Sequence, residues 1–341
     1  MDRFKITRRE FIKISAGGVF AAGGIGVPSV FSETFSDKIE HNDKGIPIRP
    51  LGNTGEKVSI LCLGGHHVGR ISNESEAVAL VRHAIDNGVT FLDNAWEYHQ
   101  GRSEKIVGKA LKGGYREKAF VMTKIHGRSA ARAQKQLEES LSRLGVDHVD
   151  LLQAHEVIYS DDPSLVFAPD GMIEVLEEAK KTGKTRFVGF TGHKDPDIHL
   201  AMLNTGYPWD TVQMPVNAFD PHYQSFIENV LPVTIDRNIG ILAMKTMGDH
   251  YLLKSGVLQP REALYFAWSQ PVSTVVSGME SMALLNENIR HAKNFTPLTR
   301  REQEKLLEKT ASAASDGQWE KYKTSRRFDG PVGRKIHGIS G

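Results

Sequence analysis

Thr90-Phe91-Leu92-Asp93-Asn94-Ala95 is an apolar run of strand length that closes on polar residues, and seven more such runs recur along the chain. They are Val58–Gly65, Ala119–Ile125, His148–Val157, Thr185–Gly192, Thr211–Asn217, Gly240–Gly248 and Ser273–Gly278. Helical periodicity fills the stretches between them. In Ala131–Leu144, Leu137, Leu141 and Leu144 share a face at i, i+4 and i+7; in Met172–Lys181, Met172, Val175, Leu176 and Ala179 do the same, and Gly183 stops the helix. Apolar strands alternating with amphipathic helices predict parallel strands joined by crossover helices. Eight such units in about 250 residues predict a closed (β/α)8 TIM barrel of a single domain, not an open sheet. Thr299–Ala314 predicts a C-terminal extra helix.

The barrel is expected over residues 51–315. Residues 33–50 read as a polar linker that ends in a short hairpin or strand at Ile48–Leu51, and 316–341 as a loosely structured tail. The first 32 residues read as a twin-arginine signal peptide. Thr7-Arg8-Arg9-Glu10-Phe11-Ile12-Lys13 lies in a basic stretch, an apolar Gly/Ala-rich stretch runs from Ile14 to Val30, and small residues surround Ser32. That stretch is too short and too glycine-rich to make a good membrane span, so no stable span is expected after processing. The twin-arginine machinery, which carries folded proteins, is the expected export partner, and the periplasm or another extracytoplasmic space the destination.

Formal net charge is +2, but residues 1–32 hold five Lys/Arg against two Asp/Glu, which leaves the remainder at −1. No basic stripe supports nucleic-acid or anionic-membrane binding. The single cysteine, Cys62, excludes an intramolecular disulfide and any cysteine-clustered metal or iron–sulfur site.

In a barrel of this kind the chemistry belongs at the carboxyl ends of the strands. The second run ends in Asp93-Asn94-Ala95-Trp96-Glu97-Tyr98, the third contains Thr123-Lys124, and the fourth contains Gln153-Ala154-His155. Asp93 and Lys124 lie inside apolar strands, where an unpaired charge is expensive, so they are expected to pair. An ammonium beside Tyr98 is expected to lower the phenol's pKa and make it a proton donor near neutral pH. Trp96, His99, His126 and Tyr159 are expected to surround the substrate pocket.

Asp93, Tyr98, Lys124 and His155 resemble the catalytic tetrad of the aldo/keto reductase superfamily. The resemblance extends through Phe91-Leu92-Asp93-Asn94-Ala95, Gly101, Ser103-Glu104 and Gly108 to Glu287-Asn288, and covers Leu51 to Lys293. It implies reversible, nicotinamide-dependent reduction of an aldehyde or ketone. Tyr98 would protonate the carbonyl oxygen, Lys124 would depress its pKa, Asp93 would hold Lys124, and His155 would orient the carbonyl. For the cofactor it implies Gly64-Gly65 beside the nicotinamide ribose, Gln213 and Thr191 at the carboxamide, and Met244 where an aromatic commonly stacks. Lys245, Gly278, Glu280, Glu287 and Asn288 complete the implied set. Gly192 replaces the family's usual asparagine. NADPH is the family default. Glu280, where Arg or Ser often meets the 2′-phosphate, and Leu284, where Arg or Gln is frequent, leave NADH open.

Three other readings were weighed on the residues. A Rossmann-type sugar oxidoreductase needs a glycine fingerprint after its first strand, and the only G-x-G of that region, Gly24-Ile25-Gly26, lies inside the leader. A metal-dependent barrel hydrolase could draw on His66, His67, His155 and His193. Adjacent His66 and His67 would diverge on an extended segment, and the eighth run offers no Asp, so no metal is expected. A nonenzymatic NAD(P)-binding redox sensor or partner subunit on the same fold would hold the dinucleotide without turnover. The export reading makes a direct prediction: changing Arg8 and Arg9 together to Lys leaves the protein in the cytoplasm, because the pair is read by a receptor. Unchanged arrival outside the inner membrane, by cell fractionation, contradicts it.

Overall fold

The computed structural model describes residues 39–339, so the leader and residues 33–38 of the expected linker lie outside the described residues. Two short strands come first, β1 (Ile48–Pro50) and β2 (Lys57–Ser59), paired antiparallel as a hairpin. Eight parallel strands then close a barrel: β3 (Leu61–Gly64), β4 (Phe91–Asp93), β5 (Phe120–Ile125), β6 (Val149–Ala154), β7 (Thr185–Thr191), β8 (Thr211–Pro215), β9 (Gly240–Met244) and β10 (Thr274–Ser277). Each pairs with the next, and β10 pairs with β3. The expected (β/α)8 barrel is therefore the observed fold.

The first apolar run proves to be two elements. Val58 and Ser59 end the hairpin, while Leu61 begins the barrel. Leu51 and Val58 join Cys62, Phe91, Phe120, Met122, Leu151 and Leu242 in one buried cluster, so the hairpin plugs the amino-terminal end of the barrel interior. A larger core lies between the strands and the outer helices. The helix Ala130–Leu144 buries Ala133, Leu137, Leu141 and Leu144 and ends on Gly145 in the left-handed region, φ 64°. Among the described residues no helix is long and apolar enough to cross a membrane.

Strand parity positions the site. Successive side chains alternate between the barrel interior and the helix layer, so each inward column starts apolar and ends polar. Phe91 leads to Asp93, Phe120 and Met122 to Lys124, Leu151 and Gln153 toward His155, Thr211 to Gln213. The intervening Leu92, Val121 and Leu152 belong to the outer core.

The tail corrects the sequence reading. Residues 316–339 are not loosely structured: they include the helices Lys321–Thr324 and Pro331–Ile336 and fold back over the carboxyl end of the barrel. Point anchors hold them in place of a periodic apolar face. Tyr322 is fully buried, and the buried Lys323 ammonium lies 2.8 Å from Asp220 and 2.9 Å from Glu320. Removing one partner of such a pair strands the others in a low-dielectric site. Lys323→Met is therefore expected to lower the unfolding free energy in urea by about 3–5 kcal/mol; a loss below about 1 kcal/mol would mean that the pair anchors nothing.

Candidate active site

The polar ends of the inward columns meet in a cleft of about 890 Å³ at the carboxyl face of the barrel. Lys124, 1% exposed, lies at its floor. Its ammonium is bonded to the Asp93 carboxylate, donates to the Asn94 carbonyl at 2.7 Å, and donates to the Tyr98 hydroxyl at 3.2 Å. The His155 ring stands edge-on to Tyr98 with centroids 5.6 Å apart. Four groups from three consecutive strand ends thus share one small volume.

The loop carrying Tyr98 is fixed from below. His99, Gln100 and Gly101 all adopt positive φ in a tight turn. The buried Glu104 accepts from Thr123 Oγ1 at 2.6 Å and pairs with Arg143 at 3.2 Å, and Arg143 donates to the Trp96 carbonyl at 2.8 Å. Ser103 Oγ donates to the Gly65 carbonyl at 2.7 Å, which ties the loop to the turn after β3.

The expected acidity of the phenol is not what the structure gives. Burial, followed by the charges of Asp93, Glu156 and Glu97, pushes Tyr98 well above its ordinary value. Lys124 stands beside it, but that cation is shared with Asp93, so the carboxylate offsets much of its effect. Asp93 is itself raised by burial, against the pull of Lys124. His155 is held well below its ordinary range by burial and then by the neighbouring charges of His126 and Lys124. The resting site therefore holds a protonated phenol and a neutral imidazole.

Of the other expected positions, Gly64, Thr191, Gln213, Met244, Lys245 and Gly278 line the cleft, as do Trp96 and His99. Gly65 does not. It packs against the Asp93 carbonyl, which a Cβ would strike, so this glycine serves the approach of β3 to β4. Glu280 and Glu287 are exposed and do not line the cleft; Glu280 lies 3.8 Å from Arg70 and Glu287 lies 3.6 Å from His291. Asn288 is buried and donates to Ser277 Oγ at 3.0 Å. His126 is fully buried between Glu97 and Glu156 instead of facing the pocket. Tyr159 donates to Asp329 at 3.0 Å and is covered by the tail.

Among the described residues two sets of possible metal ligands converge, His67 with Asp249 and His250, and Glu97 with His126 and His155. Neither is the quartet of His66, His67, His155 and His193 weighed from the sequence. In each set the carboxylate is already engaged: Asp249 with His67 and Arg70 at 3.2 and 3.1 Å, Glu97 with His126 at 2.7 Å. Residues 65–68, read as extended, form a short helical turn. His66 there faces Tyr98, with centroids 5.2 Å apart, and His67 turns to Asp249.

Several polar groups wait for a partner. Gln213 Oε1, Thr246 Oγ1 and His193 Nε2 are buried without a hydrogen bond among the described residues. Lys245 is lowered to about 8 by burial, and no carboxylate pairs with it among the described residues; its ammonium lies 4.2 Å from the Phe328 ring centroid. Gly64 also lines the cleft, but a Cβ there would come within 2.9 Å of the Ser277 carbonyl, so, like Gly65, it serves strand approach, here of β3 to β10. A carboxamide acceptor, a half-buried cation and a hydroxyl at the cleft are chemically compatible with a nicotinamide dinucleotide.

The model of the aldo/keto reductase family matches residues 60–263 of this chain. The chain belongs to the aldo/keto reductase family. It is 34% identical over 226 residues to an L-galactose dehydrogenase of Arabidopsis thaliana, covering 62% of this chain and 68% of that protein. It is 30% identical over 209 residues to the aldo-keto reductase YhdN of Bacillus subtilis, covering 56% and 59%. Among solved structures, the holo form of the aldo-keto reductase AKR11C1 from Bacillus halodurans superposes with a TM-score of 0.67 at 25% identity, over 81% of this chain and 99% of that one. As an aldo/keto reductase family member the protein is an oxidoreductase.

The sequence reading missed Glu97, Glu156, Arg70, Asp249 and the cleft wall at Arg327–Val332. Glu97 and Glu156 were within reach, since each adjoins a residue already singled out, Tyr98 and His155. The others come from distant segments with no local signal.

The histidines set the response to acid. His155, His193 and His199 are buried, and all three are pushed down by burial, His199 to about 4. A histidine whose folded pKa is depressed favours the native state above its unfolded value and loses that contribution as pH falls. His126 has the opposite sign: burial alone would lower it, but hydrogen bonds to Glu156 and Glu97 hold it above its ordinary range. His66, lowered to about 3, and His222 share the sign of the first three, so with five against one the unfolding free energy is expected to fall between pH 6.5 and 5, each neutral histidine contributing up to about 1.4 kcal/mol per pH unit. Urea melts that show a flat or rising free energy across this window contradict the assignment.

Proposed function

We propose that this protein is an exported reductase that moves a hydride between a nicotinamide dinucleotide and a small polar aldehyde or ketone, with Tyr98 as the proton donor. One observation carries the reading: the Lys124 ammonium joins Asp93 and Tyr98 at the floor of the cleft, with the neutral His155 ring beside the phenol.

The dinucleotide, when bound, supplies the hydride. Gln213 and Thr191 would hold its carboxamide, Met244 would pack against the ring, and Lys245 with Thr246 would meet the pyrophosphate. Glu280, Glu287 and Asn288 would take the adenosine end. Glu280, Arg70 and Asp249 form a carboxylate–guanidinium–carboxylate row of net charge −1, which favours a free ribose 2′-hydroxyl over a 2′-phosphate and so NADH over NADPH. Titration of both dinucleotides at low salt reads this preference directly.

His155 and Tyr98 receive the carbonyl oxygen. As negative charge grows there, the phenol gives up its proton, and Lys124 stabilises the phenolate left behind. The chamber walls include His66, Trp96, Glu97, Glu156 and His193. Such walls suit a hydroxylated, sugar-like carbonyl compound, and the Arabidopsis relative named for L-galactose supports that class.

Tyr98→Phe removes the donor and keeps the ring. Carbonyl reduction is expected to fall by about 10²-fold or more while dinucleotide affinity is kept. Near wild-type turnover by the variant would refute the assignment, and a dinucleotide held without turnover by the wild type on a broad carbonyl panel would favour the sensor reading.

A further inference from the structure

Arg327–Val332 belong to no barrel unit, yet they form one wall of the cleft. A buried cluster from three consecutive loops holds them there. Glu97 follows β4, His126 follows β5 and Glu156 follows β6. His126 Nε2 lies 2.7 Å from Glu97 Oε2 and 3.4 Å from Glu156 Oε2. The two carboxylates also accept from the main chain of the tail: Gly330 N–H donates to both oxygens of Glu156 at 3.2 and 3.0 Å, and Val332 N–H donates to Glu97 Oε1 at 3.3 Å.

Gly330 is the tight point. Its backbone, φ −62° and ψ 146°, is open to any residue, so conformation does not demand glycine here. Space does. A Cβ would lie 2.6 Å from Glu156 Oε2 and 2.6 Å from Glu97 Oε2. Neither carboxylate can retreat freely, because His126 engages both from a fully buried position and its ring stands 4.2 Å from that of His155.

We propose that Gly330, pinched between Glu97 and Glu156 over His126, is a specificity-determining residue: it lets the tail lie close against the mouth and so sets the largest carbonyl compound that reaches Tyr98. The inference rests on the reductase reading for the class of substrate. The tail is also anchored upstream of the clasp, where the buried Lys323 pairs with Asp220 and Glu320. An added methyl therefore lifts the strap locally and leaves the tail folded.

The test compares wild type with Gly330→Ala as full chains. By hydrogen–deuterium exchange with mass spectrometry, amides of residues 328–334 are expected to exchange about tenfold faster or more in the variant, with residues 320–324 unchanged. The ratio of kcat/KM for 2-naphthaldehyde over benzaldehyde is expected to rise about tenfold, chiefly through KM. Saturation-transfer NMR with the same two aldehydes reads the size limit without turnover, so a protein that reduces neither fails as a reductase while this test still decides. Unchanged exchange over 328–334 in Gly330→Ala, or faster exchange with an unchanged size preference by both readouts, overturns the proposal.

Discussion

A lysine ammonium at the centre of a barrel floor is the constraint around which the rest of the site is arranged. Lys124 is almost completely enclosed, and a buried charge of that kind is tolerated only with an opposite charge and filled hydrogen-bonding directions. Asp93 supplies the charge, and the Asn94 carbonyl and the Tyr98 hydroxyl take two of its donor directions. The strand ends must therefore arrive in one register. Parallel pairing of Gly64 with Asp93, and of Lys124 with Gln153, sets that register from the backbone. The same enclosure that makes the ammonium costly makes it effective, because its field is little screened where the phenol sits.

Much of the architecture was legible because it is periodic. Apolar runs with helices between them identify eight units whatever the loops contain, and the period of two within a strand places Asp93 and Lys124 on the inward face. Tyr98 follows a different logic. It lies beyond the end of β4, just before the positive-φ turn of His99 and Gln100, so strand-end position singled it out, while no periodicity fixes where its side chain points. Parity alone does not separate sound placements from mistaken ones. His155 and His126 each follow their strand immediately and in matching register, yet His155 lines the cleft, whereas His126 is drawn beneath by Glu97 and Glu156.

What the sequence concealed consists of contacts between single residues far apart in the chain. Lys323 with Asp220, Asp329 with Lys194 and Gly330 with Glu156 link the tail to three different barrel loops. None leaves a periodic signature, and a segment held by point anchors reads as loose. The same holds for Asp249 joining His67 and Arg70 across the mouth. The sign of the Tyr98 shift was also out of reach. A lysine neighbour suggests an acidic phenol, and only the structure shows that burial and three carboxylates outweigh it.

The central claim is that this buried arrangement transfers hydride to a carbonyl carbon. It is tested most directly by incubating the purified protein with a dinucleotide deuterated at the reactive nicotinamide carbon and a panel of hydroxylated and aryl aldehydes, followed by mass spectrometry of the products. The account predicts one deuterium per product alcohol, on the former carbonyl carbon, from the wild-type protein. A protein that binds the dinucleotide and yields no deuterated alcohol from any aldehyde would contradict it.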